Sequence, residues 1–182
     1  WSFAPVTQNL LTAMNGDPRL ENTVLMQDEL DGDLNVGYQH SGYFSKKYSS
    51  DVEHWGVDGQ FELNRTCNFR VIRYADVLLM AAEALNRKTT PDDVTAKIYL
   101  NRVRNRAMLP SVTTTGNNLT NDIYKERRVE FVGEALRFFD LVRTGRAAQE
   151  IDGFVAGKHE VFPIPIQEIE LSGNKWIQNP NY

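Results

Sequence analysis

Apolar residues recur at helical spacing between Tyr74 and Arg87 and cover more than one side of the predicted helix. Two neighbouring stripes contain them: Tyr74, Leu78, Ala81 and Leu85 in the first, and Val77, Met80 and Ala84 in the second. Charges interrupt the pattern at Asp76, Glu83 and Arg87. A helix that is apolar over most of its circumference is packed on several sides. The pattern therefore predicts a helix within a stack of helical hairpins.

A second helix is predicted after a short linker. Thr89 and Thr90 precede Pro91-Asp92-Asp93, which is typical of a helix start with a threonine cap, a proline in the first helical position and acids at the positive end of the helix dipole. Its inner stripe, up to about residue 107, consists of Ala96, Leu100, Val103 and Ala107. Because the linker is only a few residues long, this helix must run antiparallel to the first.

The third helical pattern, over residues 120–145, places charges where helical spacing expects core residues. Its stripe consists of Ile123, Arg127, Phe131 and Glu134. A solvated helix would keep these charges off the stripe, so we expect buried ion pairs such as Arg127 with Glu130 and Glu134 with Arg137. Gly133 in the middle allows a kink or a second hairpin, and Gly145 is a plausible left-handed cap at the end.

The two remaining regions lack long helical periodicity. Residues 22–68 carry turn residues and four aromatic side chains, Tyr38, Tyr43, Tyr48 and Trp55, and a loop of this length is usually functional or disordered. After Ile151, two prolines at 163 and 165 impose an extended segment, followed by a short helical turn over 166–171. The predicted fold is mainly α, with a long irregular loop region and an extended C-terminal tail that wraps the helices.

Composition narrows the possible functions. The 182 residues suffice for one domain with a real core. A net charge of -4, with acids interleaved among the arginines at 126–137, argues against a nucleic-acid groove, although Arg102, Arg104 and Arg106 form a basic run. The single cysteine, Cys67, excludes an internal disulfide framework.

Catalytic and metal sites find no support in the sequence. Glu126, Glu130 and Glu134 each have an arginine within three residues, which favours structural ion pairs over a general acid, and no nucleophile or phosphate-loop motif occurs. The histidines, His40, His54 and His159, lie far apart. The stretch Asp31-Gly32-Asp33-Leu34-Asn35 starts like a calcium loop but lacks its turn glycine, which leaves an irregular calcium site as an open alternative. We predict no cofactor and no catalytic residue.

Several short motifs appear in a fixed order along the chain. They are DPR at 17–19, RYADVLLMAAEAL at 73–85, NRVRNRA at 101–107, ERRVEFVGEALRFFDL at 126–141, FPIP at 162–165 and QNPNY at 178–182. Together they resemble the signature of the SusD/RagB family, the surface glycan-capture lipoproteins of gut Bacteroidetes. Two departures are visible: Ala135 and Asn181 stand where the family commonly has glycine.

The resemblance implies tetratricopeptide-like antiparallel helical hairpins and a non-catalytic role. Family members capture oligo- or polysaccharides at the outer membrane and pass them to a SusC-like TonB-dependent transporter. They are longer and begin with an acylated cysteine. Residues 1–5 show no export or membrane signal, so we expect the chain to be a C-terminal portion that ends naturally at Tyr182. Its expected parts are a variable loop region at 22–68, a helical array at 69–145 and a wrapping tail at 146–182.

Ligand contacts are expected in the loop region, because the family's sugar-stacking residues come partly from the stretch between the DPR and RYADVLLM motifs. Trp55 is the first candidate, with His54 as a hydrogen-bonding neighbour and Tyr43 and Tyr38 as further aromatic contacts. The competing interpretation is that Trp55 only pins the loop to the helices. A helical scaffold for another protein, and a peptide ligand instead of a glycan, remain alternatives. Exposed aromatics in the loop favour glycan capture, whereas an exposed apolar helix face favours a scaffold.

Overall fold

The computed structural model describes residues 5–30, 32–49, 68 and 70–182. It contains, in chain order, α1 (Gln8–Ala13), α2 (Leu20–Thr23), β1 (Val24–Met26), a 3-10 turn (Gln27–Glu29), β2 (Tyr43–Ser45), α3 (Tyr74–Arg87), α4 (Asp93–Arg106), α5 (Gly116–Glu130), α6 (Arg137–Arg143), α7 (Ala147–Glu150) and α8 (Ile166–Leu171). The chain divides after Gly133 into two compact units. The mainly helical fold class is confirmed, and β1 and β2 form a two-stranded antiparallel sheet.

Three long helices form the body of the first unit. α3 packs mainly against α4, and α5 packs against both. Arg102 near the end of α4 contacts Tyr74 at the start of α3, so these two helices are antiparallel as predicted. The predicted inner stripe of α4 is confirmed, because Ala96, Leu100, Val103 and Ala107 are all buried. Residues 107–115 return along α4, so α5 also runs antiparallel to α3.

The start of α4 differs from the prediction. Asp92 caps the helix by accepting a hydrogen bond from the main-chain N–H of Thr95 at 3.0 Å, which lowers the pKa of the Asp92 carboxyl. Thr90 was therefore the wrong cap, and Pro91 precedes the helix instead of occupying its first turn. Asp accepts from the free N–H groups of a first turn at least as well as Thr, so the local sequence allowed either residue.

The buried side of α3 also differs from the two predicted stripes. It consists of Leu78, Leu79, Ala82, Glu83 and Asn86. Tyr74, Val77 and Met80 are exposed, at 62%, 45% and 46% of their surface. Within the described residues, α3 is thus covered on one side, and its second apolar stripe faces outward.

The stretch that contains the ERRVEFVGEALRFFDL motif forms two helices rather than the single helix predicted over 120–144. α5 ends at Glu130, and α6 begins at Arg137. Between them Gly133 has a φ of 75°, and Ala135 has a φ of 58°. Both angles lie in the left-handed region, which an α-helix of L-residues cannot continue through. The break that Gly133 allowed is therefore present.

The second unit contains three short helices and the tail. α6 ends at Arg143 and is followed by the predicted left-handed cap at Gly145, whose φ is 68°. The N–H groups of Gly145 and Arg146 donate to the carbonyls of Val142 and Leu141, respectively. The helical turn predicted over 166–171 is α8. The FPIP and QNPNY motifs bind each other, because the side chain of Gln178 makes two 2.8 Å hydrogen bonds to the main chain of Ile164.

Candidate functional site

Two buried carboxylates, Glu126 and Glu130, lie one turn apart on α5. Their side chains are exposed by only 1% and 3%, respectively. Nη1 of Arg19 donates to both, at 2.7 Å to Glu126 and 2.9 Å to Glu130. Burial of an ionised carboxylate is tolerated only when it is paired and hydrogen-bonded. Arg19, which belongs to the DPR motif, shares its single positive charge between them.

Three further arginines complete this ionic cluster. Arg104 donates to Glu126 at 3.0 Å, whereas Arg106 and Arg73 donate to Glu130 at 2.6 and 2.9 Å. Both oxygens of each carboxylate are thereby occupied by guanidinium groups. A general acid or base must reach a substrate proton directly or through one water. The arrangement supports the structural interpretation of these acids.

Asp17 fixes Arg19 in the cluster. Its two oxygens accept hydrogen bonds from Nε and Nη2 of Arg19 at 2.9 and 2.7 Å. Burial acts to raise the pKa of Asp17, but the hydrogen bonds and charge of Arg19 outweigh it, so this pKa lies below its ordinary value. Burial likewise opposes the charge of Arg19, but hydrogen bonds to Asp17 and Glu126 raise its pKa above the usual range. The DPR motif thus works as an ion-pair support for α5.

The predicted buried stripe is confirmed, but its ion pairs have distant partners. Ile123, Arg127, Phe131 and Glu134 are each exposed by 6% or less. Arg127 pairs with Asp76 of α3 at 2.8 Å, and Glu130 pairs with Arg19, Arg73 and Arg106. The guanidinium of Arg127 also lies 5.1 Å from the ring centre of Phe131. The pairing of Glu134 with Arg137 stays a prediction.

The predicted ligand residues fall into two groups. Tyr38 lies in a turn before β2 and is 86% exposed. Tyr43 lies in β2, is half-buried and makes a 2.9 Å hydrogen bond from its hydroxyl to Gln8. Trp55 and His54 lie outside the described residues. The structure therefore offers the ring face of Tyr38 to solvent and holds Tyr43 beside α1.

The base of the loop that carries Tyr38 is fixed by residues that the sequence did not single out for this role. Nε2 of His40 lies 3.0 Å from Oε1 of Gln27, and the His40 ring lies 5.6 Å from that of Phe44. The main-chain N–H of Gln27 donates to the carbonyl of Gly42 at 2.9 Å. The pairing of β1 with β2 brings these residues together, and neither short strand has enough alternation to predict its register.

Two surface grooves are present elsewhere in the first unit. One groove, of about 490 Å³, lies between α4 and the segment 107–115 that follows it, and its lining includes Lys97, Arg102 and Val112. The other, of about 470 Å³, lies beside the DPR motif and includes Glu21 and Met26. Among the described residues, neither lining contains an aromatic side chain, whereas sugar sites use aromatic rings for stacking. Neither lining includes Tyr38 or Tyr43, the two predicted ligand residues that the structure describes.

Metal and membrane features can be assessed within the described residues. There, no group of three or more His, Cys, Asp or Glu side chains is arranged to hold a metal ion. Asp31, the first residue of the calcium-like stretch, is not among them. No helix in this part of the chain combines the length and the apolar character needed to cross a membrane.

The mainly helical fold belongs to the class in which antiparallel helices are stacked like tetratricopeptide repeats. The profile of the SusD family matches residues 7–161. The chain belongs to the SusD family. This assignment confirms the resemblance found in the sequence and supports the prediction that the chain is not an enzyme.

The solved structures and curated relatives that match this chain are longer than it, and the chain spans between 28% and 42% of their length. A laminarin-binding SusD-like protein is 41% identical, with a TM-score of 0.86, and matches 100% of this chain and 39% of its own. Surface glycan-binding protein A from Bacteroides thetaiotaomicron in complex with laminarihexaose is 32% identical, with a TM-score of 0.82, over 100% of this chain and 42% of its own. SusD-like protein P2 of Formosa agariphila is 31% identical over 145 residues, which are 70% of this chain and 28% of that protein.

Proposed function

We propose that the full-length protein containing this chain is a non-catalytic glycan-binding subunit at the bacterial outer surface. The observation that carries the proposal is the match of the whole chain, at 41% identity and a TM-score of 0.86, to a laminarin-binding SusD-like protein. The occupied carboxylates of Glu126 and Glu130 support the absence of catalysis. Passage of the glycan to a SusC-like TonB-dependent transporter, and a lipid anchor elsewhere in the polypeptide, belong to the same proposal and rest on family membership.

The ligand we propose is a laminarin-type glucan. Two of the similar solved proteins are described with laminarin or laminarihexaose as their ligand. A glucose ring presents an apolar face of C–H groups that packs on an aromatic side chain, and its hydroxyls need hydrogen-bonding partners. The chain offers both kinds of group in its 22–68 region.

Four residues are assigned roles in this site. Tyr38, at 86% exposure, presents a ring that can stack on a sugar without any rearrangement. Tyr43 contributes the edge of its ring beside Gln8. Trp55 is the principal stacking residue, and His54 donates or accepts a hydrogen bond to a hydroxyl; both assignments rest on the sequence.

A scaffold function is the second candidate, and the outward stripe of α3 favours it. Tyr74, Val77 and Met80 form an exposed apolar face of the kind that binds another protein. The exposed ring of Tyr38 and this face lie on different elements, so glycan binding and protein binding do not compete for the same residues. Capture of a peptide remains the alternative ligand in the loop region.

Calorimetry of the full-length protein tests the proposal. Laminarihexaose, laminarin, an unrelated polysaccharide and a peptide mixture would be titrated separately. We expect heat of binding with laminarihexaose and laminarin, and no reducing ends after prolonged incubation. Binding of the peptides alone would replace the glycan with a peptide ligand, and release of reducing ends by pure protein would overturn the non-catalytic assignment.

A further inference from the structure

The sequence contains one asparagine that is followed directly by glycine, Asn15 before Gly16. Both residues are exposed and lie at the centre of the turn that follows α1. The N–H of Asp17 donates to the carbonyl of Met14 at 2.9 Å and closes this turn, in which Gly16 has a φ of 75°. A Cβ atom placed on Gly16 would meet no other heavy atom within 4 Å, so the space around the pair is open.

The two groups that react in asparagine deamidation are both free at this turn. Within the described residues, the main-chain N–H of Gly16 and the side-chain amide of Asn15 make no hydrogen bond. Glycine also has no side chain that would shield its nitrogen from the neighbouring amide carbon. Asn9 in α1 is exposed as well, but its Oδ1 accepts a hydrogen bond from Arg128, and the main-chain N–H that follows it donates to Thr7.

We propose that Asn15 is a site of spontaneous deamidation. The nitrogen of Gly16 loses its proton to solvent base and forms a bond to Cγ of Asn15. The bond from Cγ to Nδ2 breaks, and Nδ2 takes up a proton and leaves as ammonia. Water then hydrolyses the resulting succinimide ring at either carbonyl, which leaves an aspartate or an isoaspartate at position 15. Water is the only co-reactant.

The position of the turn links this reaction to the ionic cluster. Met14, which is 0% exposed, anchors one side of the turn, and Asp17, which holds Arg19 by two side-chain hydrogen bonds, begins the other. An isoaspartate adds one carbon atom to the main chain between these two anchors. The closing hydrogen bond of the turn is then lost, and Asp17 is displaced from Arg19. Because Arg19 pairs with both Glu126 and Glu130, deamidation weakens the ion pairs that hold α5.

Timed incubation of the full-length protein tests the reaction itself. Wild type and Asn15→Gln are kept in neutral and in mildly alkaline buffer, digested with trypsin and analysed by mass spectrometry with fragmentation, and isoaspartate is labelled with a methyltransferase specific for it. We expect the wild type to gain, at residue 15, the mass that accompanies replacement of an amide NH2 by OH, and to gain it faster in the alkaline buffer. Residue 9 should stay unchanged in the same sample. Asn15→Gln is the matched control, because glutamine would have to form a larger ring and reacts much more slowly.

Hydrogen exchange measures the effect on the ionic cluster. Amides of α5 are followed, with those of α8 as the internal reference. Incubated wild type should exchange faster in α5 than fresh wild type, whereas incubated Asn15→Gln should match its own fresh sample. Freshly prepared Asn15→Asp carries the new charge without the additional main-chain carbon. Its exchange in α5 should stay close to that of fresh wild type.

The outcomes separate the two parts of the proposal. An unchanged mass at residue 15, or an equal gain at residues 9 and 15, overturns the deamidation site. A gain at residue 15 without faster exchange in α5 overturns its link to the ionic cluster, and faster exchange in fresh Asn15→Asp overturns the role of main-chain length. Neither measurement uses a glycan, so both results stand apart from the proposed function.

Discussion

Arg127 on α5 donates to Asp76 on α3 across 2.8 Å, and the two side chains are only 6% and 13% exposed. The pair joins two helices of the first unit at a largely buried position. The stability of a buried charge depends on its ion-pair partner, because burial has already removed the water molecules that would solvate it. The interior of this chain is therefore sensitive to single charge deletions.

Replacing Arg127 with Ala should reduce the free energy of unfolding by about 3 kcal/mol, since breaking a buried pair leaves an uncompensated carboxylate on Asp76. Urea denaturation followed by circular dichroism measures this difference. Lys125→Ala, at an exposed position on the same helix, should change stability by no more than about 0.5 kcal/mol. A wild-type midpoint for Arg127→Ala would mean that the side chain is solvated.

The Asp17–Arg19 pair predicts a specific pH dependence. The pKa of Asp17 in the folded protein lies below its ordinary value of 3.8, so its ionised form stabilises the fold above that pH. This contribution is lost as the pH falls through the lowered pKa. Asp17→Asn should therefore be less stable than the wild type at pH 6, and the difference should shrink below about pH 4. Urea midpoints of both proteins at several pH values measure it; a difference that grows on acidification contradicts the assignment.

The two departures from the family pattern occupy left-handed backbone positions. Ala135 has a φ of 58° and Asn181 a φ of 66°. The left-handed conformation destabilises the folded state by about 1–2 kcal/mol at an alanine. Glycine avoids this cost, but the greater conformational entropy of its unfolded chain lowers stability by about 0.4–1 kcal/mol. Ala135→Gly should therefore stabilise the protein by about 0.5–1 kcal/mol.

Asn181→Gly provides the contrast for that substitution. Asn tolerates the left-handed region, and its Nδ2 donates to the carbonyl of Gly157 at 2.9 Å. Its replacement should lower stability by about 0.5–1.5 kcal/mol, the net value of one hydrogen bond. Thermal unfolding of the two variants should move in opposite directions, and a destabilised Ala135→Gly variant would show that the turn does not strain Ala135.

Helical periodicity was sufficient to predict where the long helices lie. The bounds of α3 were predicted as Tyr74 to Arg87 and are confirmed, as is the inner stripe of α4. Gly133 allows a break between α5 and α6, but the sequence does not predict that the break is present. The apolar and charged spacing continues through Gly133, although α5 ends at Glu130 and the positive φ angles at Gly133 and Ala135 prevent the helix from continuing into α6.

The partners of the buried charges could not be read from local spacing. Spacing identifies pairs three or four positions apart, such as Arg127 with Glu130. The structure pairs Glu130 with Arg19, which lies 111 positions away, and with Arg73, which lies 57 away. Such contacts depend on how whole elements pack. The burial of Arg127 and Glu134 was nevertheless predictable, because charges on an inner stripe have nowhere else to lie.

The candidate ligand residues were predictable only as a region. Residues 22–68 were identified by their aromatic content and lack of period, and Tyr38 in that region is 86% exposed. The hydrogen bond of Tyr43 with Gln8 depends on the placement of α1 beside β2, which no motif signals. The contact between the side chains of His40 and Gln27 depends on the register of β1 and β2 in the same way.

We propose that the full-length protein binds glycans through aromatic residues of the 22–68 region without cleaving them. The most direct test of this claim is calorimetry of laminarihexaose with the full-length wild type, Trp55→Ala, Tyr38→Ala and Tyr74→Ala, the last removing an exposed ring from α3 as a control. Loss of one stacking ring should cost about 1–3 kcal/mol, so the Kd should rise roughly tenfold to a hundredfold for Trp55→Ala and more modestly for Tyr38→Ala, with Tyr74→Ala unchanged. Unchanged affinity in both loop variants, or a loss confined to Tyr74→Ala, would contradict the claim.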